Sequence, residues 1–186
     1  MKQHTFIAIE GVDFSGKTAV SQALVERGYQ RAYFPTNILA TVRSGIEALN
    51  DPDARFFYYI TCVMAEQKRL AQMLEEDNVV ADRYILSTFA TNKVLGAKVQ
   101  SVDFGSLRVI HPALTVVLTV NREVMEARRR HRYAQTLGAI PADRALEADT
   151  DQLLAIQQSF MEFGFPTIDT SNQQAEDIVT QILDML

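Results

Sequence analysis

Gly11-Val12-Asp13-Phe14-Ser15-Gly16-Lys17-Thr18 sets two glycines, a lysine and a hydroxyl at the spacing G-x-x-x-x-G-K-[ST]. Each fixed position has a physical reason. Glycine lets backbone N–H groups curl around phosphate oxygens without a Cβ in the way. A helix starting near Thr18 aims the positive end of its dipole at the same anion. Lys17 is a mobile point charge that follows a transferred phosphoryl group, and the Thr18 hydroxyl is placed to ligate Mg²⁺. The bland alternative is a Gly-bearing turn with an incidental lysine. Two glycines plus Lys-Thr at this spacing arise by chance in roughly one such chain in a hundred or fewer. The segment is therefore expected to bind nucleotide phosphates.

Two further groups bear chemistry. Asp82 ends the apolar run Asn78-Val79-Val80-Ala81. A carboxylate at the C-terminal end of a buried parallel strand lies at the edge where α/β proteins bind ligands, and it is a candidate Mg²⁺ partner. The alternative is an Asp that merely caps the next turn. Arg122, Arg128, Arg129, Arg130 and Arg132 crowd one predicted helix of an acidic chain. Such crowding repels itself unless anions or acidic neighbours compensate. Arginine is the side chain suited to bidentate phosphate clamping, so the cluster is read as a lid, against a solvated basic face or a surface for an acidic partner.

The elements that must position these groups alternate. Phe6 to Ile9 reads as a buried strand, followed by a turn and a helix from Thr18 to Arg27. Arg31 to Phe34 is a weak strand ending at Pro35. Asp51-Pro52 opens a long helix towards Glu76 as N-cap and first helical residue. Asn78 to Ala81 and Leu114 to Val120 are strands. Arg122 to Arg132 and Asp143 to Phe163 are helices separated by a loop with Gly138 and Pro141. Pro166 to Asp169 is a last strand, and Ser171 with Gln174 forms a candidate capping box for a helix over Gln173 to Met185. This alternation predicts parallel βαβ units in a three-layer α/β sandwich, as one domain over residues 1–186 with a lid at about 122–148.

Composition narrows the function. The chain has 186 residues, with 18 Lys+Arg against 23 Asp+Glu and a formal net charge of -5. An acidic chain is a poor general binder of nucleic acid or anionic membrane. One cysteine, Cys62, excludes an internal disulfide framework and a multi-cysteine metal site. Its apolar runs fall short of the ~20 residues of a membrane span, and its N-terminal run is brief for a secretory signal. A cytoplasmic protein is expected.

Three segments resemble the thymidylate kinase family of P-loop nucleoside monophosphate kinases. Phe6-Ile7-Ala8-Ile9-Glu10-Gly11-Val12-Asp13 runs into Gly16-Lys17-Thr18, with an acidic residue at position 13 as in the family. Val80-Ala81-Asp82-Arg83-Tyr84, then Ser87-Thr88 and Ala90, is similar to the family's Asp-Arg-Tyr stretch. His111-Pro112-Ala113-Leu114-Thr115, leading to Glu123-Val124 and the arginines, is similar to its last strand and lid. The resemblance implies a P-loop kinase fold, ATP with Mg²⁺, and a homodimer. By position it implies that Gly11, Asp13, Phe14, Ser15, Gly16, Lys17 and Thr18 hold ATP, with Thr18 and Asp82 on the metal. Asp13 faces the acceptor sugar hydroxyl, and Arg83 binds the acceptor phosphate. Arg128, Arg130 and Arg132, with Arg144, close over the transferred group. Pro35, Tyr58 and Thr91 complete the acceptor side. Phe14 stands where some members place an arginine, so a lid arginine must supply that charge.

The acceptor side departs from the family pattern. Tyr58 falls where the family stacks a ring on the base, a position equally open to core packing. Cys62 falls where the family uses a base-contacting arginine, and it is expected to pack as a small apolar group. Thr36-Asn37 follows Phe34-Pro35 where a phosphate-binding arginine is common, with Arg43 as a substitute. His111 is expected to be structural, and His4 and His131 lack a triad-like context. The leading expectation is transfer of the ATP γ-phosphoryl group to a nucleoside monophosphate, dTMP first. A kinase acting on a hydroxyl, with Asp13 or Asp82 as base, and a non-catalytic ATP-binding homologue are the competing readings.

Overall fold

A computed structural model of the chain describes residues 4–35, 37–135 and 150–186. Five strands form one sheet: β1 (Phe6–Gly11), β2 (Gln30–Ala32), β3 (Val79–Asp82), β4 (Leu114–Thr119) and β5 (Thr167–Asp169). Their order is β2-β3-β1-β4-β5, and every pairing is parallel. The helices are α1 (Lys17–Glu26), α2 (Asn37–Ala48), α3 (Pro52–Ala65), α4 (Gln67–Glu76), α5 (Ile85–Val94), α6 (Arg122–Gln135), α7 (Thr150–Met161) and α8 (Ala175–Asp184).

β1 is central and buried at every position, because helices cover both faces of the sheet. Alternate side chains therefore enter two cores. Phe6 and Ala8, with Val79 and Ala81 of β3, pack against Phe56, Ile60 and Phe89 of α3 and α5. Ile7 and Ile9, with Val116 and Leu118, pack against Leu24 of α1 and Val179 and Ile182 of α8. A third cluster joins Val117 to Leu86, Met125, Leu153 and Phe160, which seats α5, α6 and α7. The result is the expected three-layer sandwich. Among the described residues, no helix is long and apolar enough to cross a membrane.

Several element expectations need correction. The helix expected from Asp51 to Glu76 breaks at Glu66 into α3 and α4. There the Val63 carbonyl accepts the Glu66 N–H at three-residue spacing and also the Gln67 side-chain amide. Arg69 then ties the Glu66 carboxylate and the Tyr33 carbonyl, turning α4 towards the end of β2. The expected N-cap does form, with Asp51 Oδ1 accepting the Ala54 N–H at 2.8 Å. The capping box of Ser171 and Gln174 does not. Gln174 caps α8 through its backbone alone, while Ser171 Oγ accepts the Asn121 N–H at 2.9 Å and donates to Asp169. Helix α5 had no signal, since seven of its ten residues are buried and no polar stripe exists. Residues 143–149 of the expected helix before Phe163 lie outside the described residues.

Candidate active site

The phosphate loop leaves β1 and enters α1, and its shape depends on glycine. Gly11 has φ 134°, and a Cβ there would lie 2.3 Å from the Leu118 carbonyl oxygen of β4. Gly16, at φ 91°, is the N-cap of α1. Phe14 and Arg83 adopt φ 67° and 72°, which is unfavourable for side chains of their size. Strained residues of this kind cluster at functional sites.

Lys17 is buried and folded onto the loop, its Nζ donating to the Val12 carbonyl at 2.7 Å. Burial, reinforced by the nearby Arg83 charge, pulls its ammonium down to about 7, despite the opposing carboxylates of Asp13, Asp82 and Glu10. Thr18 Oγ1 donates to Asp82 Oδ2 at 2.8 Å, so the two expected metal partners are adjacent. A hydroxyl beside a carboxylate is a donor set that suits Mg²⁺ held jointly with phosphates.

Arg83, just beyond β3, donates to the Gly11 carbonyl at 3.3 Å and forms an ion pair with Asp13. Burial pulls the Asp13 carboxyl up, but Arg83, Lys17 and Arg132 outweigh it and hold it at about 2. The left-handed turn at Arg83 is secured from below. Glu10, fully buried in β1, accepts the Tyr84 N–H at 3.0 Å and the Ser87 hydroxyl, so a strand carboxylate caps the start of α5. Burial pushes the Glu10 carboxyl up, with Ser87 pulling the other way.

Two cavities flank this pair. One, of about 810 Å³, is lined by Lys17, Thr18, Asp82, Arg128 and His131. The other, of about 330 Å³, is lined by Pro35, Arg43, Arg55, Tyr59, Cys62 and Thr91. Among the described residues, Asp13, Arg83 and Arg132 line both. These three mark the boundary at which contents of the two cavities would meet.

The arginines of α6 separate by direction. Arg128 donates to the Phe14 carbonyl at 3.1 Å, to Thr170 Oγ1 at 2.9 Å and to the Thr170 carbonyl at 2.7 Å. Thr170 Oγ1 in turn donates to the Ser15 carbonyl at 2.8 Å, so Arg128 and Thr170 clamp the backbone of the phosphate loop. Burial pushes the Arg128 guanidinium down, against the pull of Asp169. Arg130 is 72% exposed and sits 3.9 Å from Glu126 on the outer face of the helix. Arg132 lies over the Phe14 ring, 4.5 Å from its centroid. Arg144 lies outside the described residues, as does Thr36.

On the acceptor side, Pro35 and Thr91 line the smaller cavity as expected. Tyr58 does not; its hydroxyl donates to the Leu39 carbonyl at 2.7 Å, against α2. Tyr59 takes the cavity position, one residue and about 100° further round the helix. Cys62 lines the cavity and is buried. Sequence reasoning missed Arg55, Asn92, Tyr59 and Thr170. The first could have been found: Arg55, Tyr59 and Cys62 recur at i, i+4 and i+7, one face of one helix.

Comparison with known proteins adds kinship to this geometry. A family model described as thymidylate kinase matches residues 9–182. A "probable thymidylate kinase" of Methanocaldococcus jannaschii is 24% identical, covering 100% of this chain and 97% of that protein. Another from Methanococcus vannielii is 24% identical, covering 95% and 92%. Among solved structures, the thymidylate kinase of Candida albicans superposes with a TM-score of 0.74 at 15% identity, covering 98% of this chain and 91% of that one. Deoxyadenosine kinase of M. mycoides with bound dATP gives 0.63 at 17% identity, covering 98% of both. At these identities the structural likeness is one of fold.

Proposed function

The chain belongs to the thymidylate kinase family and is an ATP-dependent kinase of nucleoside monophosphates, and we propose that its acceptor is dTMP, converted to dTDP with Mg²⁺. The observation that carries the reading is the boundary of Asp13, Arg83 and Arg132 between the two cavities. The larger cavity takes ATP. Loop amides and Lys17 hold its β- and γ-phosphates, and Thr18 with Asp82 would hold Mg²⁺, which neutralises phosphate charge when bound. The smaller cavity takes the monophosphate, with Arg83 on its phosphate and Asp13 facing the sugar.

In the reaction, an acceptor phosphate oxygen forms a bond to the γ-phosphorus as the bond from that phosphorus to the β-bridging oxygen breaks. The acceptor is already an anion, so alignment and charge stabilisation suffice. An Asp13 held at about 2 by Arg83 is a poor general base, since a useful base titrates near the working pH. This favours a phosphate acceptor over a hydroxyl. Among the described arginines of α6, Arg132 is the one placed to meet the migrating group, with Phe14 as its support. Arg128 acts through the loop backbone, and Arg130 points away. The lid at about 122–148 begins with α6.

The finer organisation is part of the same proposal: a single domain over residues 1–186, a homodimer, and a cytoplasmic location. Phe57 and Met64, both close to half exposed, share the outward face of α3 and offer an apolar surface to a second copy. An acceptor panel tests the activity. ADP release should follow addition of dTMP, weaken with other monophosphates, and vanish with nucleosides and simple alcohols. Turnover with thymidine but not dTMP would contradict the proposal.

A further inference from the structure

The smaller cavity contains a guanidinium that no resemblance supplies. The family's base-contacting arginine is replaced by Cys62, yet Arg55, two turns earlier on the same face of α3, lines the same cavity. Its Nη1 donates to Asn92 Oδ1 at 3.1 Å, and its guanidinium carbon lies 5.1 Å from the centroid of the Tyr59 ring. The two contacts fix the plane of the fork from both sides. Arg55 Nε is buried and has no hydrogen-bond partner among the described residues. That nitrogen is shut away from the cavity, so the fork would meet a ligand through its terminal nitrogens. Asn92 is itself held in place, its Nδ2 donating to the Thr88 carbonyl at 2.7 Å.

Position along α5 says which part of a nucleotide arrives there. Arg83 precedes the first turn of α5, and Asn92 lies seven residues beyond Ile85, about 10 Å along the axis. That separation is comparable with the distance from the phosphate of a nucleotide to the far edge of its base. With the phosphate on Arg83, the base edge faces Arg55.

We propose that Arg55 is the specificity-determining residue of this kinase, reading the 4-oxo group of a thymine or uracil base with the guanidinium that position 62 lacks. A guanidinium only donates. It therefore accepts a base that presents a carbonyl oxygen there and opposes cytosine, which presents an amino group at the same place. A site built on such a polar contact discriminates far more sharply than an apolar one.

This inference rests on the monophosphate-kinase reading, and its test separates the two. The purified full chain is assayed for kcat and KM with dTMP, dUMP, dCMP and dGMP, and dTMP binding is measured by calorimetry without ATP. If the wild type phosphorylates none of them, the kinase reading fails before any variant is made. If it phosphorylates them, Arg55→Gln and Arg55→Lys follow; the lysine keeps stem and charge but loses the fork. Each is expected to lower the dTMP-to-dCMP ratio of kcat/KM by about tenfold or more, mainly through KM and with the KM for ATP unchanged. Adding Cys62→Arg to Arg55→Gln should restore part of the ratio. A folded variant of either kind with wild-type selectivity overturns the assignment, as does a wild type that prefers dCMP.

Discussion

The two cavities are built in different ways. The cavity proposed for ATP is built mainly on one contiguous stretch: Gly11 to Thr18 supplies the loop, the Lys17 ammonium and the Thr18 hydroxyl, and Asp82 and Arg128 arrive from neighbouring elements. The smaller cavity is assembled from Pro35, Arg43 of α2, four residues of α3 and four of α5, drawn from separate parts of the chain. A contiguous loop carries its geometry in its own backbone. A cavity between helices depends on the rotation of each helix, so one residue of slip exchanges a lining side chain for a packing one. The first design is hard to alter without losing phosphate binding; the second can trade residues such as Cys62 and Arg55 while keeping its shape.

Substitutions can break or sharpen this contrast. The largest effect is expected on the contiguous side. Lys17→Ala should lower kcat by about 10²–10³-fold or more, with the fold intact by circular dichroism, since a charge at the migrating phosphoryl group is lost. Next is the boundary. Arg132→Ala should lower kcat by about 10²-fold with little change in the KM for either substrate, whereas Arg130→Ala should stay within about twofold. Equal effects from the two arginines would dissolve the directional reading of α6. Arg83→Ala should raise the KM for the monophosphate by about tenfold or more and leave ATP binding nearly unchanged, because its ligand lies on the other side.

A titration separates the halves more gently. Lys17 sits at about 7 in the free protein, and a bound triphosphate favours its charged form. ATP binding at pH 8 should therefore take up close to one proton, and at pH 5.5 almost none. Calorimetry in buffers of different ionisation enthalpy measures this. Binding of dTMP alone should show much less uptake. The smallest effect is structural: Asp51→Ala removes the N-cap of α3 and should cost about 1 kcal/mol, a fall of about 2–4 °C in Tm, without moving kcat.

The same contrast explains what the sequence discloses. The phosphate loop, Asp82 and Arg83 are legible because the motif and the end of a buried strand place them without knowledge of packing. The parallel pairing and the three layers follow from alternation of short apolar runs with amphipathic ones, whereas the strand order β2-β3-β1-β4-β5 does not. Helix α5 is not legible, since burial on every side erases its periodicity. The break at Glu66 is invisible because its cause, the bonding of Gln67 and Arg69 to distant backbone, is tertiary. Tyr58 and Tyr59 are adjacent and chemically alike, so only the phase of α3 against α2 decides which one meets the cavity. Arg128 fits the lid pattern by type and spacing, yet Thr170 holds it on the loop backbone, a contact across 42 residues of sequence.

Direct transfer between the proposed substrates requires the two cavities to open onto one another at Asp13, Arg83 and Arg132. The direct measurement is the affinity of adenosine and thymidine joined by five phosphates, compared with ATP and dTMP singly. Linking the two halves should give a Kd lower than that of ATP by about 10²-fold or more, and Arg83→Ala and Arg132→Ala should each weaken it. A linked ligand that binds no more tightly than ATP, and is indifferent to both substitutions, would contradict a shared boundary.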